Sequence, residues 1–366
     1  MKRPTSAWLC VLGILLTAAP AAAWELEGLR LRGRLIGAYE LRDEEGKIGR
    51  WTDTFSLRNA RLDGRWEVVE DLRLVLEVEL ADGLALRDAY ARYQVHKAFR
   101  LTLGSFKKPF SRLRLDSPWE LLIPRRGLLD GEVISDGPYG GFGGRDIGLM
   151  ASGSVGKEVK FKYFAGVFDG RTLVPGFYRD ADDPDAPNAS HRDYVARLQL
   201  RPLKGLILAA DYCYKRAGIL LAPGQELEHW FNLVGFDLRW SLAGFRLQLE
   251  GAWGDNPNAV KGRRLLGGHA TASYRIRFGE LLVLTPAFMA EILDPDDGVG
   301  GGRAVRLAGA LTLGVGPHAA VVLSAEGGLG ELAYEEPEYF TPGQLEPKRV
   351  TRAVPTRVLL HVRLSL

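Results

Sequence analysis

Cysteine is nearly absent from this 366-residue sequence, which contains only Cys10 and Cys213. Cys10 lies in an N-terminal segment typical of a cleaved signal, so Cys213 would be left alone and no intramolecular disulfide could form. Long apolar runs are also missing, because no stretch after residue 24 has the about 18 consecutive apolar residues of a membrane helix. Disulfides and membrane helices are therefore both excluded as the means of stabilising this chain.

The N-terminus reads as a secretory signal. Lys2 and Arg3 are followed by an apolar stretch over residues 8–16 and by three small residues at 21–23, which is the pattern of a signal and its cleavage site. We therefore predict a cleaved signal over residues 1–23 and a single domain over 24–366. Cleavage would take the formal charge from +3 to +1, and such a near-neutral chain gives no reason to expect a nucleic-acid partner.

Hydrophobicity alternates with a period of two along most of the chain. In residues 59–68, Asn59, Arg61, Asp63, Arg65 and Glu67 oppose Ala60, Leu62, Gly64, Trp66 and Val68. This pattern is typical of a strand with one polar and one apolar face. It predicts sixteen strands, over residues 29–40, 55–69, 72–82, 85–96, 98–106, 145–153, 159–168, 192–202, 205–215, 230–241, 244–254, 264–277, 281–292, 303–315, 317–328 and 353–366.

Short and long connections alternate between these strands. Short ones fall near residues 70–71, 203–204 and 242–243, whereas long ones fall at 107–144, 169–191, 216–229 and 329–352. Because lipid offers no partner for an unpaired backbone group, an apolar-faced sheet in a membrane must close on itself. The predicted fold is therefore an all-β transmembrane antiparallel barrel of about 16 strands, with polar side chains inside and a long inward-folded loop after strand 5.

Several segments resemble the phosphate-selective porin O/P family, in the family's order and at about its spacing. These segments are FSLRNARLDGRW (55–66), LRDAYARY (86–93), LGSFKKPFS (103–111), GRDIGLMASG (144–153) and YFAGVFDG (163–170). The resemblance implies a trimeric, sixteen-stranded channel of the bacterial outer membrane, reached by export through the periplasm. It also implies that loops fold inward to narrow the pore, where lysines and arginines select anions such as phosphate.

The start of the long loop is rich in basic residues. We expect six of them to line the constriction of the solute path: Lys107, Lys108, Arg112, Arg114, Arg125 and Arg126. Cations at a narrow point lower the barrier for anions and raise it for cations. The alternative is that these side chains lie on the outer surface, where they would meet lipopolysaccharide phosphates.

A second set of basic residues occupies the polar faces of the predicted strands. The predicted lumen-wall residues are Arg30, Arg32, Arg34, Arg61, Arg65, Arg73 and Arg100. They favour anions if they face open water. They instead stiffen the wall if they pair with Asp or Glu of neighbouring strands, and both roles remain open from the sequence.

The predicted function is a porin for passive diffusion of small solutes, with a preference for anions and with phosphate as one candidate solute. The alternative is a structural or receptor-like barrel with an occluded lumen. An outer-membrane enzyme is disfavoured because no nucleophile, base and orienting group come together in the sequence. We expect no cofactor and no metal site, since the aspartates at 180–185 and 294–297 do not form a full calcium loop. Expected partners are outer-membrane lipid and lipopolysaccharide, small anionic or neutral solutes, two further copies in a homotrimer, and the barrel-assembly machinery during insertion.

Overall fold

The computed structural model describes residues 28–43, 50–135, 141–170, 192–222, 225–256, 262–336 and 348–365. The predicted signal, residues 1–23, lies outside these ranges. None of the described helices is long and apolar enough to cross a membrane. The described chain is almost entirely strand, as the period-two pattern predicts.

Nineteen antiparallel strands are described. They are β1 Leu29–Asp43, β2 Trp51–Val69, β3 Leu72–Glu79, β4 Ala85–His96, β5 Phe99–Lys107, β6 Arg145–Val155, β7 Lys160–Phe168, β8 Arg192–Leu203, β9 Leu206–Ala222, β10 Gln225–Leu242, β11 Phe245–Asp255, β12 Arg264–Tyr274, β13 Ile276–Phe278, β14 Leu282–Asp294, β15 Ala304–Val315, β16 Ala319–Leu329, β17 Glu331–Glu336, β18 Lys348–Ala353 and β19 Arg357–Ser365.

The sheet closes into a barrel. Each wall strand pairs with the next, and β1 pairs with both β2 and β19. Strands β12 and β13 both pair with β14, so they are one spanning strand interrupted at Arg275. Within the described residues, sixteen strands therefore span the wall, and the predicted antiparallel barrel of about 16 strands is confirmed.

The two faces of the wall carry opposite chemistry. On β2, Leu62 and Trp66 are 48% and 46% exposed, whereas Asp63 is 4% exposed. On β11, Trp253 is exposed and Glu250 is buried. Large apolar side chains therefore cover the outside and charged ones point inward, as a barrel in lipid requires.

Two connections differ from the sequence prediction. The predicted long connection at 216–229 is mostly strand, because β9 and β10 continue their backbone pairing up to Ala222 and Gln225. The predicted long connection at 329–352 contains the β17–β18 hairpin, which forms a separate two-stranded sheet. In both connections, hairpin pairing is present at the long-loop end of the barrel. The alternation of apolar and polar residues does not mark where such pairing ends.

The short β8–β9 turn requires a glycine. Gly205 has φ +87°, a conformation that residues with a Cβ rarely adopt. A Cβ at this position would also lie 2.2 Å from the Ser241 carbonyl oxygen on the neighbouring turn. This turn therefore depends on the absence of a side chain at Gly205.

Candidate pore constriction

The segment between β5 and β6, residues 108–144, is referred to here as the crossing loop. It includes the short helix α1, Arg112–Leu115, and a single π-helical turn, Asp130–Ile134. Residues 136–140 of this loop lie outside the described ranges. Its contacts determine where the predicted site residues lie.

The first part of the crossing loop is bound to inward-facing carboxylates of β9 and β11. The Ser111 amide donates to Asp211 at 3.0 Å, and the Ser111 hydroxyl donates to Glu250. The Leu113 amide donates to the other Glu250 oxygen at 2.9 Å. The loop therefore lies inside the barrel at this point, against the wall opposite β1 and β2.

Lys108 corrects one of our sequence predictions. Its side chain has no exposed surface, and its ammonium lies 2.6 Å from the Asp193 carboxylate of β8. Burial alone would lower the pKa of Lys108, but the Asp193 carboxylate outweighs burial and raises it. Lys215 also pairs with Asp193, at 3.2 Å. Lys108 thus fixes the loop to the wall and does not line the solute path.

The middle of the crossing loop is bound on the far side of the barrel. The amides of Leu128 and Leu129 donate to Glu291 of β14 at 2.7 and 2.8 Å. Arg306 of β15 pairs with Glu291 at 3.0 Å and with Glu326 of β16 at 2.6 Å. One buried carboxylate therefore satisfies two loop amides while a neighbouring arginine compensates its charge.

Four of the predicted constriction residues meet around one open space. This upper chamber, of about 350 Å³, is lined by Lys107, Arg114, Arg125 and Arg126 from the end of β5 and the crossing loop. Four wall arginines face them: Arg58, Arg61, Arg87 and Arg145. Among the described lining residues, Asp130 is the one carboxylate set against these eight cations.

Two upper-chamber cations are held by carbonyl oxygens. Lys107 Nζ donates to the carbonyl of Arg114 at 2.7 Å. Arg126 donates to the carbonyls of Leu113, at 3.1 Å, and of Asp116. Burial and the nearby Arg114 lower the pKa of Arg126 to about 10 despite the opposing effect of Asp130, so it stays protonated at neutral pH. These carbonyl partners orient both side chains and carry no negative charge of their own.

Arg125 and Arg114 are closer to acids. Arg125 lies 3.3 Å from Glu326, and Arg114 lies 3.8 Å from Asp130. Burial lowers the pKa of Arg125 to about 10, with the neighbouring Arg357 adding to the effect. Both side chains are positioned by carboxylates and still border the upper chamber.

Arg112 lies apart from the other predicted constriction residues. It pairs with Asp116 at 2.7 Å and lines a larger space of about 910 Å³ next to the short β10–β11 turn. This lower chamber has six arginines in its lining: Arg112, Arg239, Arg246, Arg275, Arg277 and Arg363. Asp116 and Glu120 are the acids among the described lining residues. The crossing loop thus places predicted cations in two separate chambers.

The predicted lumen-wall arginines are divided between paired and exposed positions. Arg34 and Arg61 both pair with Glu77, at 2.8 and 3.0 Å, and Arg61 also pairs with Glu79 at 2.7 Å. Because these partners come from β1, β2 and β3, such pairs tie neighbouring strands together. Three more predicted wall residues differ in pairing and exposure. Arg65 pairs with Asp63, Arg73 pairs with Glu67 in an exposed ion pair, and Arg100 is half-buried.

Arg30 and Arg32, near the start of β1, are exposed. Neither of them lines the upper chamber. The predicted wall set therefore contributes Arg61 to that chamber and otherwise builds the wall.

The sequence reasoning missed three upper-chamber arginines, Arg58, Arg87 and Arg145, and the first two each lie at a β-bulge. Ile36 pairs with Asn59 and Gly37 with Leu57, which leaves Arg58 as an extra residue. Arg87 is likewise extra between the partners of Glu77 and Val78. A bulge resets which face a residue takes, so strict alternation cannot assign these two side chains.

Comparisons with known proteins agree with this architecture. Residues 29–205 match the model of a family described as phosphate-selective porin O and P. Over that segment, slightly less than half of the chain, the sequence is similar to the porin O and P family. A search of curated proteins gave no match. This similarity and the closed barrel together support a channel of the bacterial outer membrane.

Solved porin structures share the fold of this porin. The anion-selective porin from Comamonas acidovorans matches with a TM-score of 0.61 and 11% identity, over 92% of this chain and 99% of its own. The outer membrane channel DcaP of Acinetobacter baumannii matches with a TM-score of 0.57 and 14% identity, over 94% of this chain and 100% of its own. A trimer form of OmpT, an outer membrane protein of Vibrio cholerae, matches with a TM-score of 0.55 and 12% identity, over 92% of this chain and 99% of its own.

Proposed function

We propose that this porin is a passive diffusion channel that favours small anions, and that the upper chamber is its selectivity element. The observation that carries the proposal is the charge of that chamber, whose described lining holds eight cations and one carboxylate. Arg61, Arg125 and Arg145 also pair with carboxylates outside the lining, so the excess positive charge is smaller than this count. A cationic narrow point attracts anions and repels cations. Charged walls around a confined aqueous path also raise the local concentration of counter-ions.

The energy involved is sufficient for selectivity. A unit charge about 5 Å from a permeating ion contributes about 0.8 kcal/mol in water. One cation such as Arg126 would therefore attract an anion by about 0.8 kcal/mol and repel a cation equally, which is about 15-fold in the ratio of anions to cations at low salt. Salt screening reduces this preference at the ionic strength of the periplasm.

Phosphate is a suitable solute for this chamber. Guanidinium groups bind phosphate oxygens through paired hydrogen bonds, and Arg114, Arg125 and Arg126 present three guanidinium groups from the crossing loop. The family name and the anion-selective neighbour support the same choice. We include phosphate among the transported anions.

The remaining features of the proposal concern export and assembly. Residues 1–23 act as a cleaved signal, and the mature chain inserts through the barrel-assembly machinery into lipid and lipopolysaccharide. The working unit is a homotrimer, which is supported by the trimer form of the OmpT neighbour. Crosslinking of the detergent-extracted protein tests this assembly by showing whether a band at three times the chain mass appears.

A second candidate function, an occluded structural or receptor-like barrel, is favoured by the apolar packing inside the long-loop end. Leu332 and Tyr334 of β17 are buried in one cluster with Phe110, Leu129 and Ile134 of the crossing loop. This cluster seals part of the barrel interior. Swelling of liposomes that contain the protein, in solutions of small neutral sugars, discriminates between the two functions, since an occluded barrel gives no swelling.

The test of anion selectivity is the double variant Lys107→Gln/Arg126→Gln. Both residues are bound by carbonyl oxygens, so their neutralisation leaves no carboxylate without its partner. In planar bilayers at low salt, the anion-to-cation permeability ratio from the reversal potential should fall at least about threefold. The matched control is Lys157→Gln/Lys204→Gln, which removes the same charge from exposed short turns. An unchanged ratio in the first variant would refute the proposal.

A further inference from the structure

The two chambers meet at one side chain of the crossing loop. Leu121 lines both chambers, and no other described residue lines both. Pro118 and Pro124 line the upper chamber alone, whereas Trp119 and Leu122 line the lower chamber alone. The loop therefore separates the chambers at this point, with an apolar residue between two strongly cationic spaces.

Leu121 is held in place by the barrel wall. Arg363 of β19 donates to the carbonyl oxygens of Trp119 and Leu121, both at 3.0 Å. Two residues further on, Ile123 is buried in a cluster that includes Met289 of β14 and Val322 of β16. The segment is thus fixed from both sides, and Leu121 itself is only 5% exposed.

An apolar side chain in this position has a distinct effect on permeation. The arginines on either side stabilise a hydrated anion, but Leu121 offers no hydrogen bond to replace lost water. Hydrophobic constrictions control passage through loss of water from the narrow point. The charged chambers therefore determine which sign of ion enters, and the apolar residue determines how easily it crosses between them.

We propose that Leu121 is a specificity-determining residue, an apolar partition that limits permeation to small and easily dehydrated solutes. This inference rests on the proposed channel function and adds the step at which solutes are sorted by size and hydration. Its ligands are the solutes of the proposed channel, namely small anions and small neutral molecules.

Three substitutions test the partition. Leu121→Ala shortens the side chain and should raise single-channel conductance at least about twofold and admit larger neutral sugars in liposome swelling. Leu121→Asn keeps the size but adds a polar group, and should raise conductance without admitting larger sugars. Leu121→Trp should lower conductance. The matched control Leu84→Ala shortens a leucine that is 82% exposed in the β3–β4 connection and lines neither chamber, and it should leave conductance within about a third of the original value.

The outcomes separate this inference from the proposed function. Heat-dependent gel mobility of each variant shows that the barrel has folded. Unchanged conductance in both Leu121→Ala and Leu121→Asn would overturn the partition. The reversal potential of the unmodified protein reports anion preference independently of Leu121. If that preference is absent and Leu121→Ala still raises conductance, the anion proposal fails and the partition stands.

Discussion

Replacing Glu291 by alanine is expected to release the crossing loop from the barrel wall. Glu291 accepts hydrogen bonds from the Leu128 and Leu129 amides and is fully buried beside Arg306. Hydrogen bonds to charged groups contribute about 1.5–3 kcal/mol each, so the two bonds together contribute about 3–6 kcal/mol. Arg306 keeps its 2.6 Å contact with Glu326, so the substitution leaves no unpaired buried cation.

A loss of about 4 kcal/mol raises the equilibrium constant for loop opening about a thousandfold. Hydrogen exchange followed by mass spectrometry should therefore show much faster exchange in peptides from 125–135, where the Gly131 amide is bonded within the loop. Single-channel recordings should show new brief closures or openings as the loop moves. Exchange in β14 and β15 should change little because their strand pairing is retained.

The control for this prediction is Glu158→Ala, which removes an exposed carboxylate from the short β6–β7 turn. It should leave both exchange and current noise unchanged. Glu291→Gln should be intermediate, since its one oxygen can still accept a hydrogen bond from one of the two amides. If the amide hydrogens of peptides from 125–135 exchange at the original rate in Glu291→Ala, the reasoning that this carboxylate holds the loop is refuted.

Three further predictions follow from single contacts. Lys108→Met should reduce the free energy of unfolding in detergent by about 3 kcal/mol, because it breaks a buried ion pair. Arg73→Ala breaks an exposed ion pair and should reduce the same free energy by at most about 1 kcal/mol. Equal losses in the two variants would contradict this prediction. Since the pKa values of Arg125 and Arg126 are about 10, the anion preference that remains in a Lys107→Gln variant should persist at neutral pH and fall as the pH rises through about 10. A fall near neutral pH in reversal-potential measurements of that variant would contradict the assignment. Gly205→Ala should lower the temperature of the heat-dependent gel shift more than Gly316→Ala, because a Cβ at Gly205 meets a carbonyl oxygen, whereas one at Gly316 meets nothing within 4 Å; the reverse order would argue against the turn analysis.

The spanning strands could be predicted from the sequence because a wall between lipid and water imposes alternation on every strand. The ends of the strands could not, since backbone pairing in β9 and β10 continues beyond the membrane-facing pattern. Arg58 and Arg87 were missed for a related reason, as each is the extra residue of a bulge. The hairpin β17–β18 lacks a lipid face, so no alternation of that kind marks it.

Lys107 and Lys108 show how far the sequence could predict the residues of the site. The two residues are adjacent and chemically identical, yet one lines the upper chamber and the other is fully buried. The difference lies in Asp193, which is distant along the chain and pairs with Lys108 across the interior. Local sequence predicts that this region is cationic, but only the fold shows which cation faces water.

The origin of anion preference also differs from what charge counting along the strands suggests. Wall arginines such as Arg34 and Arg61 pair with carboxylates at 3.0 Å or less, so their fields are largely cancelled and they mainly join strands. Lys107 and Arg126 instead have carbonyl partners next to the upper chamber, and Arg126 is protonated at neutral pH. Neutralising a wall arginine should therefore affect the stability of the barrel more than its selectivity. Neutralising the carbonyl-bound cations should affect selectivity first, because no buried carboxylate depends on them.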